Sequence, residues 1–440
     1  SRMHEPTRPD AAHRWRVWNM LNAAWGVFPG GQAAWVVSNE PWFKVPGVNY
    51  LKLSAGYDVS GNDDIDYYAA RSYFSSTKFL QTVSGLVFDN IGNNHLKWET
   101  TKKWNVGLET NLLNNRLNLR LNYFNSRTDD ILTYQSLSYV SGLDKNWCNG
   151  GSLKNSGYDV TAIGKVINTR NFAWELGGSI GHYKNEIVSL PEGKEYIDNT
   201  VYGATIRTQV GKPANLFYGY RTTGVFKSTE DAQAAGLYII GDNGMDKNYF
   251  GAGDMQFVDK DGNHIINARD CEVIGDPNPD FYGNIFTSFA YKRFRLDFNF
   301  NYSVGNDVYN YMRQQLESGS RYMNQTTAVS KRWQSEGQVT DMPKVTFQDP
   351  MGNSRFSDRW IEDGSYLRLK TVTLSYSLPV NSTLLQGFQF WIQANNLFTW
   401  SKYLGSDPEF TMTSAVIGQG IDLGQLPQCR SILAGVKINL

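Results

Sequence analysis

The chain has 440 residues, of which 14% are aromatic and 19% are charged, and its 42 basic and 42 acidic side chains leave a formal net charge of zero. This balance, with no lysine- or arginine-rich run, argues against a nucleic-acid partner. No apolar run approaches the roughly 20 residues that a membrane-spanning helix needs, so insertion as a helix is excluded.

Apolar and polar residues alternate along most of the chain, and a period of two is typical of β-strands with one apolar face. In the segment 294–305, for example, Leu296, Phe298 and Phe300 fall on one face. Most alternating segments exceed the ~5–6 residues usual in soluble sheets and reach the ~9–11 residues that a tilted strand needs to cross a bilayer. Strands are predicted near residues 32–38, 48–58, 97–111, 115–128, 156–167, 171–184, 215–226, 281–292, 294–305, 365–378, 387–399 and 430–440.

The connections between these strands fall into two length classes. Outer-membrane barrels join their strands by tight periplasmic turns and long external loops, so alternation of the two classes is typical of that architecture. The pattern predicts an all-β fold, a transmembrane antiparallel β-barrel wall of about twelve strands in contact with outer-membrane lipid. The short connections are 39–47, 112–114, 168–170, 293 and 379–386, and the long ones are 59–96, 129–155, 185–214, 227–280, 306–364 and 400–429.

The same loop lengths suggest how the chain is divided. If 39–47 is a periplasmic turn, the first predicted strand runs inward and the residues before it begin outside the membrane. We therefore expect residues 1–31 to be an external loop or the remainder of a truncated N-terminal part. Residues 32–440 are then the barrel wall.

A polar face opposite the apolar one is the second prediction from this alternation, because barrel interiors are polar. These side chains could guide a substrate, or they could hydrogen-bond to a plug inside the barrel, and the sequence leaves both roles open. The residues predicted to face the lumen are Asn118, Arg120, Asn122, Asp297, Asn299, Asn301, Gln389 and Gln393.

One loop has the spacing of a calcium site. Oxygen-bearing side chains fall at positions 1, 3, 5, 9 and 12 of the segment 259–270, and a backbone carbonyl is expected at position 7. His264 stands where a glycine normally makes the sharp turn. The alternative is a polar external loop held by side-chain turns. The predicted ligands of a structural Ca²⁺ ion are Asp259, Asp261, Asn263, Ile265, Asn267 and Asp270.

Four segments resemble the barrel of the SusC/RagA family of TonB-dependent outer-membrane transporters of Bacteroidetes. They are LKWETTKKWNVGL at 96–108, GDPNPDFYG at 275–283, EDGSYLRLK at 362–370, and NNLFTW at 395–400 with GSDPE at 405–409. The segment 259–270 also resembles the family's DxNxDGxIxxxD loop. No plug domain is recognisable in the chain, so the resemblance covers the C-terminal part of a barrel of the 22-stranded, plugged type.

The resemblance implies import of large nutrients, glycans or peptides, across the outer membrane of a Gram-negative bacterium. A SusD-like surface lipoprotein would cover the barrel, and the TonB complex would supply energy through the missing N-terminal part. Aromatic residues of the long loops could stack on substrate or contact that lipoprotein, and the alternative is that they fill gaps between packed loops. These aromatics are Trp147, Tyr202, Tyr238, Tyr249, Phe250 and Tyr322.

Two other classes of function are alternatives to a transporter. A passive porin requires the twelve predicted strands to close on themselves, and their even number permits it. An outer-membrane enzyme requires a nucleophile and a base at the barrel mouth, and the sequence contains no HExxH or P-loop motif that would supply such chemistry. We therefore predict a transporter and no enzymatic activity.

Overall fold

The computed structural model describes residues 26–63, 69–79, 83–136, 143, 145–241, 243–380, 387–410 and 418–439. Within them lie 26 strands and two short α-helices, α1 (Thr229–Ala235) and α2 (Tyr311–Glu317). None of the helices in these ranges has the length and apolar character required to cross a membrane.

In chain order, the first strands are β1 (Gly30–Val36), β2 (Val48–Asn62), β3 (Tyr73–Phe79), β4 (Val83–Asn90), β5 (Glu99–Leu112), β6 (Leu117–Asp129), β7 (Leu132–Ser136), β8 (Lys145–Asn149), β9 (Ser152–Asn168) and β10 (Phe172–Ser189). The next are β11 (Tyr196–Val201), β12 (Ala204–Gln209), β13 (Leu216–Gly219), β14 (Thr222–Val225), β15 (Tyr238–Ile240), β16 (Lys247–Tyr249), β17 (Met255–Phe257) and β18 (Glu272–Gly275). The last are β19 (Phe281–Tyr291), β20 (Phe294–Val304), β21 (Asp307–Asn310), β22 (Ile361–Asp363), β23 (Tyr366–Pro379), β24 (Gly387–Ser401), β25 (Ile421–Asp422) and β26 (Ser431–Asn439).

Eleven of these strands form one antiparallel sheet, which we call the wall, in the order β1-β2-β5-β6-β9-β10-β19-β20-β23-β24-β26. Each wall strand pairs with the wall strand that follows it along the chain, as in an up-and-down barrel. In the described residues β1 pairs only with β2 and β26 pairs only with β24, so the sheet stays open. It is not the closed twelve-stranded barrel that a porin would require.

The strand predicted at 215–226 is absent from the wall, and this prediction was wrong. The segment forms two short strands, β13 and β14, which belong to two small separate sheets. Its apolar residues Leu216, Phe217 and Phe226 are buried in packed loops and do not face lipid. With a strand at 215–226, the long connections 185–214 and 227–280 would follow one another with no short connection between them. In the structure a single long connection, 190–280, joins β10 to β19, so short and long connections alternate along the whole wall.

The wall has one polar and one apolar face. Along β6, Leu121 and Tyr123 fall on one face, and Arg120 and Asn122 fall on the other. Backbone pairing carries this division across the neighbouring strands. Many large side chains of the apolar face are exposed to solvent, 43% in the case of Leu121. An exposed apolar surface of this extent is expected of a wall that faces lipid.

Three long connections, residues 190–280, 305–365 and 402–430, pack together into what we call the external loop unit. It has two hydrophobic cores. The first combines residues of all three connections: Ala204, Ile206, Phe217, Ile274, Tyr309, Trp360 and Ile421. The second consists of Phe226, Ala232, Leu237, Phe250, Met255, Phe257 and Ile266. In addition, β21 pairs with β22 in antiparallel and with β25 in parallel orientation, which joins two of the connections through backbone hydrogen bonds.

Candidate functional site

The polar face of the wall carries all eight residues predicted to face the lumen. Register places Arg120 in one continuous row that passes through Thr161, Ser179 and Asn284 to Asn301. The rows beside it contain the other predicted residues, including Asn118, Asn122, Asn299, Asp297, Gln393 and Gln389. We call this surface the polar inner face.

Many polar side chains of this face contact one another across strands. Asn118 Nδ2 donates to Asn111 Oδ1 at 2.6 Å, and Arg120 lies 3.3 Å from Glu109. Ser179 Oγ donates to Asn284 Oδ1 at 2.9 Å. Hydrogen bonds of this kind hold the lining side chains in position, although Asn118 Oδ1 and Asn299 Oδ1 are buried without a hydrogen-bond partner among the described residues.

Aromatic rings on the inner face lie over glycines of neighbouring strands. In the register, Phe286 is opposite Gly177 and Trp391 is opposite Gly435. A Cβ atom added at Gly177 would lie 2.5 Å from Phe286 Cζ, which is closer than real Cβ contacts allow. Because glycine has no side chain, the ring can lie flat on the adjacent backbone. Two further pairs, Phe124 with Gly157 and Tyr282 with Gly181, are arranged in the same way.

A buried ion-pair cluster joins the wall to the connection 402–430. Arg368 of β23 is 2% exposed; its guanidinium contacts the Asp407 carboxylate and lies 3.2 Å from Glu409. Lys370 donates to Gln428 at 2.8 Å, and the Gln428 backbone N–H donates to Asp407 at 2.9 Å. A charge buried this deeply is tolerable only with such partners, so the cluster fixes the loop to the inner face of the wall.

A second set of charges joins the connections 305–365 and 402–430. Arg313 donates to Glu317 at 3.0 Å and to Glu362 at 2.8 Å, and Glu362 also accepts the backbone N–H of Leu404 at 2.8 Å. Burial and the nearby Arg313 lower the pKa of Arg359 to about 10. Arg359 therefore remains charged at neutral pH beside these groups.

Sequence reasoning assigned no role to these buried charges. Arg368 and Glu362 lie in the EDGSYLRLK segment, and Asp407 and Glu409 lie in the GSDPE segment. The resemblance of both segments to the SusC/RagA family was the one signal in the sequence that pointed to them. The structure shows that the two segments contact each other through opposite charges.

The structure places the six loop aromatics in different environments. Phe250 is buried in the second core of the loop unit, where its ring packs 5.9 Å from Phe257 and is inaccessible to a substrate. Tyr238 and Tyr249 face each other across β15 and β16, with ring centroids 5.3 Å apart. Trp147 lies in β8, apart from the loop unit, and its carbonyl accepts a hydrogen bond from Asn93 at 2.9 Å.

The other two aromatics are exposed on the external loop unit. Tyr322 is 90% exposed, and its ring stacks on Phe347 with a centroid distance of 4.7 Å. Tyr202 is half exposed at the tip of the β11–β12 hairpin, and its ring lies 5.3 Å from that of Tyr311. The rings at these two positions are accessible from solvent, whereas that of Phe250 is not.

The calcium-like loop brings three of its predicted ligands together. One carboxylate oxygen each from Asp259, Asp261 and Asp270 lies within 4.8 Å of the others. Backbone N–H groups already bond to these carboxylates: Gly262 to Asp259 at 2.9 Å and Lys260 to Asp270 at 2.9 Å. Burial is the largest single influence and opposes ionisation of Asp259, but the hydrogen bonds that its carboxylate accepts together outweigh it and lower the pKa of Asp259.

The remaining predicted ligands take part in turns. Asn263 Oδ1 accepts the backbone N–H of Ile265 at 2.7 Å, and Asn267 Oδ1 accepts that of Arg269 at 2.9 Å. The Ile265 carbonyl accepts a hydrogen bond from Asn267 Nδ2 at 3.2 Å. His264 takes the left-handed conformation, φ 63°, that glycine supplies in a standard loop. The all-oxygen donor set suits Ca²⁺, and the same turns also order the loop by themselves.

Comparisons with known proteins give a consistent result. A family model described as TonB dependent receptor-like, beta-barrel matches residues 22–269. TonB-dependent receptor P3 of Formosa agariphila is 30% identical over 434 residues, which cover 95% of this chain and 42% of that protein. TonB-dependent receptor SusC of Bacteroides thetaiotaomicron is 27% identical over 445 residues, which cover 94% of this chain and 40% of that protein. The chain thus spans less than half the length of these relatives.

Among solved structures, a chain of the RagAB peptide transporter matches with a TM-score of 0.74. The two chains are 24% identical, and the match covers 93% of this chain and 43% of that one. At this level of identity the likeness concerns the fold, which is that of a barrel wall with large external loops.

Proposed function

Since this chain belongs to the TonB-dependent receptor-like β-barrel family of the outer membrane, we propose that it forms the C-terminal part of the barrel of an active importer for large nutrients, glycans or peptides. The TonB complex supplies the energy through parts of the protein outside this chain. A SusD-like lipoprotein delivers the substrate at the external loops. The proposed role of this chain is to contain the substrate and to dock that partner, and it includes no enzymatic step.

The polar inner face is the observation that carries this proposal. It extends from β2 to β26, and its cross-strand hydrogen bonds, such as that between Ser179 and Asn284, give it a fixed polar lining. Aromatic rings that would protrude into the lumen lie flat on glycines, as Phe286 does on Gly177. A wide interior with a polar surface suits passage of large, hydrated molecules.

The external loop unit supports the docking part of the proposal. Its three connections share one buried core, and the buried Arg368–Asp407 pair ties one of them to the wall, so they form a defined surface. The Tyr322–Phe347 stack and Tyr202 are exposed on it, and exposed aromatic residues are enriched where proteins bind partners. We expect the lipoprotein to contact this surface.

Uptake by intact cells distinguishes active import from passive diffusion. Cells that carry the complete protein would be given fluorescent oligopeptides and oligosaccharides of similar mass, with and without the TonB complex. Loss of TonB should abolish accumulation of the transported class, and loss of the neighbouring lipoprotein should reduce it. Uptake that is unchanged without TonB would instead favour a passive pore.

We also propose that the loop of residues 259–270 holds a structural Ca²⁺ ion. The support is the convergence of the Asp259, Asp261 and Asp270 carboxylates, whose mutual repulsion a cation would relieve. Calorimetric titration of the complete protein with Ca²⁺ should give one binding event that Asp259→Ala and Asp261→Ala each remove. Asp246→Ala, in the same connection but outside the cluster, is the control. Equal responses of all variants would remove the metal from the proposal.

A further inference from the structure

A row of basic side chains crosses the apolar face near the external ends of its strands. Register places Lys102 of β5 directly opposite Arg127 of β6, and Arg127 directly opposite Lys154 of β9. Lys184 of β10 lies opposite Ser156, one row nearer the membrane. All four side chains are exposed. We call Lys102, Arg127, Lys154 and Lys184 the basic row.

These residues point outward and not into the lumen. Lys102 alternates in step with Trp104 and Val106, and Arg127 alternates in step with Tyr123 and Leu121, all on the apolar face. Pairing between β5 and β6 and between β6 and β9 contains no register shift over these residues, so the assignment of faces is continuous.

An aromatic belt lies next to the basic row on the membrane side. Trp104 and Tyr123 pack with ring centroids 5.4 Å apart, and the His182 ring lies 5.4 Å from Tyr158 and 5.5 Å from Phe281. Aromatic residues collect at the level of lipid headgroups. Lys102 is two residues from Trp104 along β5, and two residues of a strand span about 6.6 Å. The basic row therefore lies at the level of the lipid headgroups or just outside it.

The charges of the row are poorly compensated by the protein. Directly opposed like charges destabilise a sheet. Arg127 pairs with Asp129 at 2.8 Å. Lys102, Lys154 and Lys184 form no ion pair within the described residues, although Glu186 is opposite Lys154 in the register. Four basic and two acidic groups thus share this patch, an arrangement that favours an anionic partner from outside the chain.

The basic residues are concentrated on four adjacent strands of the wall, β5, β6, β9 and β10. At the level of the aromatic belt, the apolar face of β19, β20, β23 and β24 carries Phe281, Tyr302, Leu367 and Trp400. Further out, β20 ends in Val304, and Lys402 follows Trp400 just after β24. A single lysine there contrasts with the three basic residues that the register places side by side on β5, β6 and β9, so their concentration indicates a localised site.

We propose that the basic row binds the phosphate groups of a glycolipid of the outer leaflet, whose acyl chains lie against Leu121, Val160 and the aromatic belt. The occupant must be anionic at headgroup level and apolar immediately below it, because the protein surface changes from basic to aromatic to aliphatic in that order. A phosphorylated lipid has this arrangement. The site is independent of nutrient import and lies on the opposite face of the wall from the lumen.

Binding of deep-rough lipopolysaccharide to the complete protein in neutral detergent tests this site. The triple variant Lys102→Gln, Arg127→Gln, Lys154→Gln is compared with Lys103→Gln, Arg120→Gln, Lys165→Gln, which removes the same number of charges from the inner face of the same three strands. Each basic residue near an anionic headgroup contributes about fivefold in affinity, so the outward triple variant should bind about 100-fold more weakly. The inward triple variant should bind normally.

Further arms identify the source of the anion and control for folding. Enzymatic removal of the lipid phosphates should weaken binding to the unmodified protein as much as the outward variant does. The variant Lys102→Arg, Lys154→Arg keeps both positive charges and should bind the lipid as the unmodified protein does. Normal binding by this variant would show that the outward triple variant is defective because it lacks charge. Equal binding by the two triple variants, or undiminished binding of dephosphorylated lipid, would overturn the proposal. The proposal would also be overturned if millimolar inorganic phosphate competed as effectively as the lipid does. It would likewise be overturned if the outward triple variant bound lipid normally but lost its lipoprotein partner.

Discussion

The wall and the external loop unit use similar residues in opposite ways. In the wall, large apolar side chains such as Leu121 and Phe390 are exposed on one face, and the other face is polar. In the loop unit, Phe217 and Trp360 are fully buried. Wall strands such as β2 have 15 residues, whereas β13 and β14 have four each. Strand length therefore tells whether an alternating segment faces lipid or encloses a core of its own.

The two regions also differ in what stabilises them. Backbone pairing and lipid contact hold the wall, because its apolar residues have no protein layer packed against them. The loop unit depends on buried apolar contacts and on buried charges that compensate each other, such as Arg313 with Glu362. Substitutions in the two regions should accordingly have separable effects.

The largest effect is expected for Trp360→Ala. Trp360 is 0% exposed in the core shared by the three connections, so its loss should destabilise the loop unit by about 3–5 kcal/mol. Hydrogen exchange of the complete protein should show deprotection of β21, β22 and β25 with β6 and β9 unchanged. Trp104→Ala, on the apolar face, is the control and should leave the loop unit protected. If deprotection were spread equally over the wall and the loop unit, the two regions would not be stabilised separately and this prediction would be wrong.

Leu121→Arg should separate the two faces of the wall. Leu121 lies near the middle of the apolar face, where arginine in contact with lipid costs about 2–4 kcal/mol. Asn122→Arg, one residue further on the polar inner face, should cost far less. Urea unfolding of the complete protein in lipid vesicles measures both. If the two variants were equally destabilised, the assignment of faces would be wrong.

Gly177→Val tests the contact between an inner-face aromatic ring and a glycine. The new side chain would overlap the Phe286 ring, and overpacking of this kind typically costs about 1–3 kcal/mol. Gly164→Val in the adjacent strand is a matched control, because an added Cβ there lies 3.8 Å from its nearest neighbour, the Leu176 carbonyl oxygen. The same vesicle unfolding assay applies. Recovery on combining Gly177→Val with Phe286→Ala would identify the ring as the cause.

The smallest effect is expected from acidification of the loop unit. A hydrogen bond from Arg221 lowers the pKa of Glu272 from its ordinary value of 4.5. The folded pKa is below the unfolded one, so this pair stabilises fully above pH 4.5 and its contribution is lost as the pH falls through the folded pKa. Both groups are partly exposed, so a few tenths of a kcal/mol is expected. Amide protection factors of β18 should fall at pH 3–4 in the unmodified protein and should show no such change in Glu272→Gln.

The sequence predicted the wall well because the period of two is a local property. Ten of the predicted segments coincide with long wall strands from β2 to β26, and the first overlaps β1, which begins at Gly30. The predicted family, barrel architecture and outer-membrane location are confirmed. The division into 1–31 and 32–440 stays a prediction, and residues 1–25 lie outside the described part of the chain.

The loop unit was less accessible to sequence reasoning because its order is non-local. Residues 215–226 gave a strand-like signal, but Trp360 and Ile421, which share the core of Phe217, come from connections far along the chain. The pairing of Arg368 with Asp407 likewise depends on how a loop folds back onto β23. The roles assigned to the loop aromatics, the lumen residues and the Asp259 loop stay predictions.

The core that joins three connections has a consequence for the order of assembly. Wall strands joined by a short connection, such as β5 with β6 and β19 with β20, are close in sequence, so these hairpins can form as soon as their two strands are available. Ala204 and Ile421 belong to one core, and β25 must reach β21 before that core is complete. The outer surface should therefore mature last, and a newly inserted protein should pass through a stage in which its wall resists protease while its extracellular segments are still cleaved.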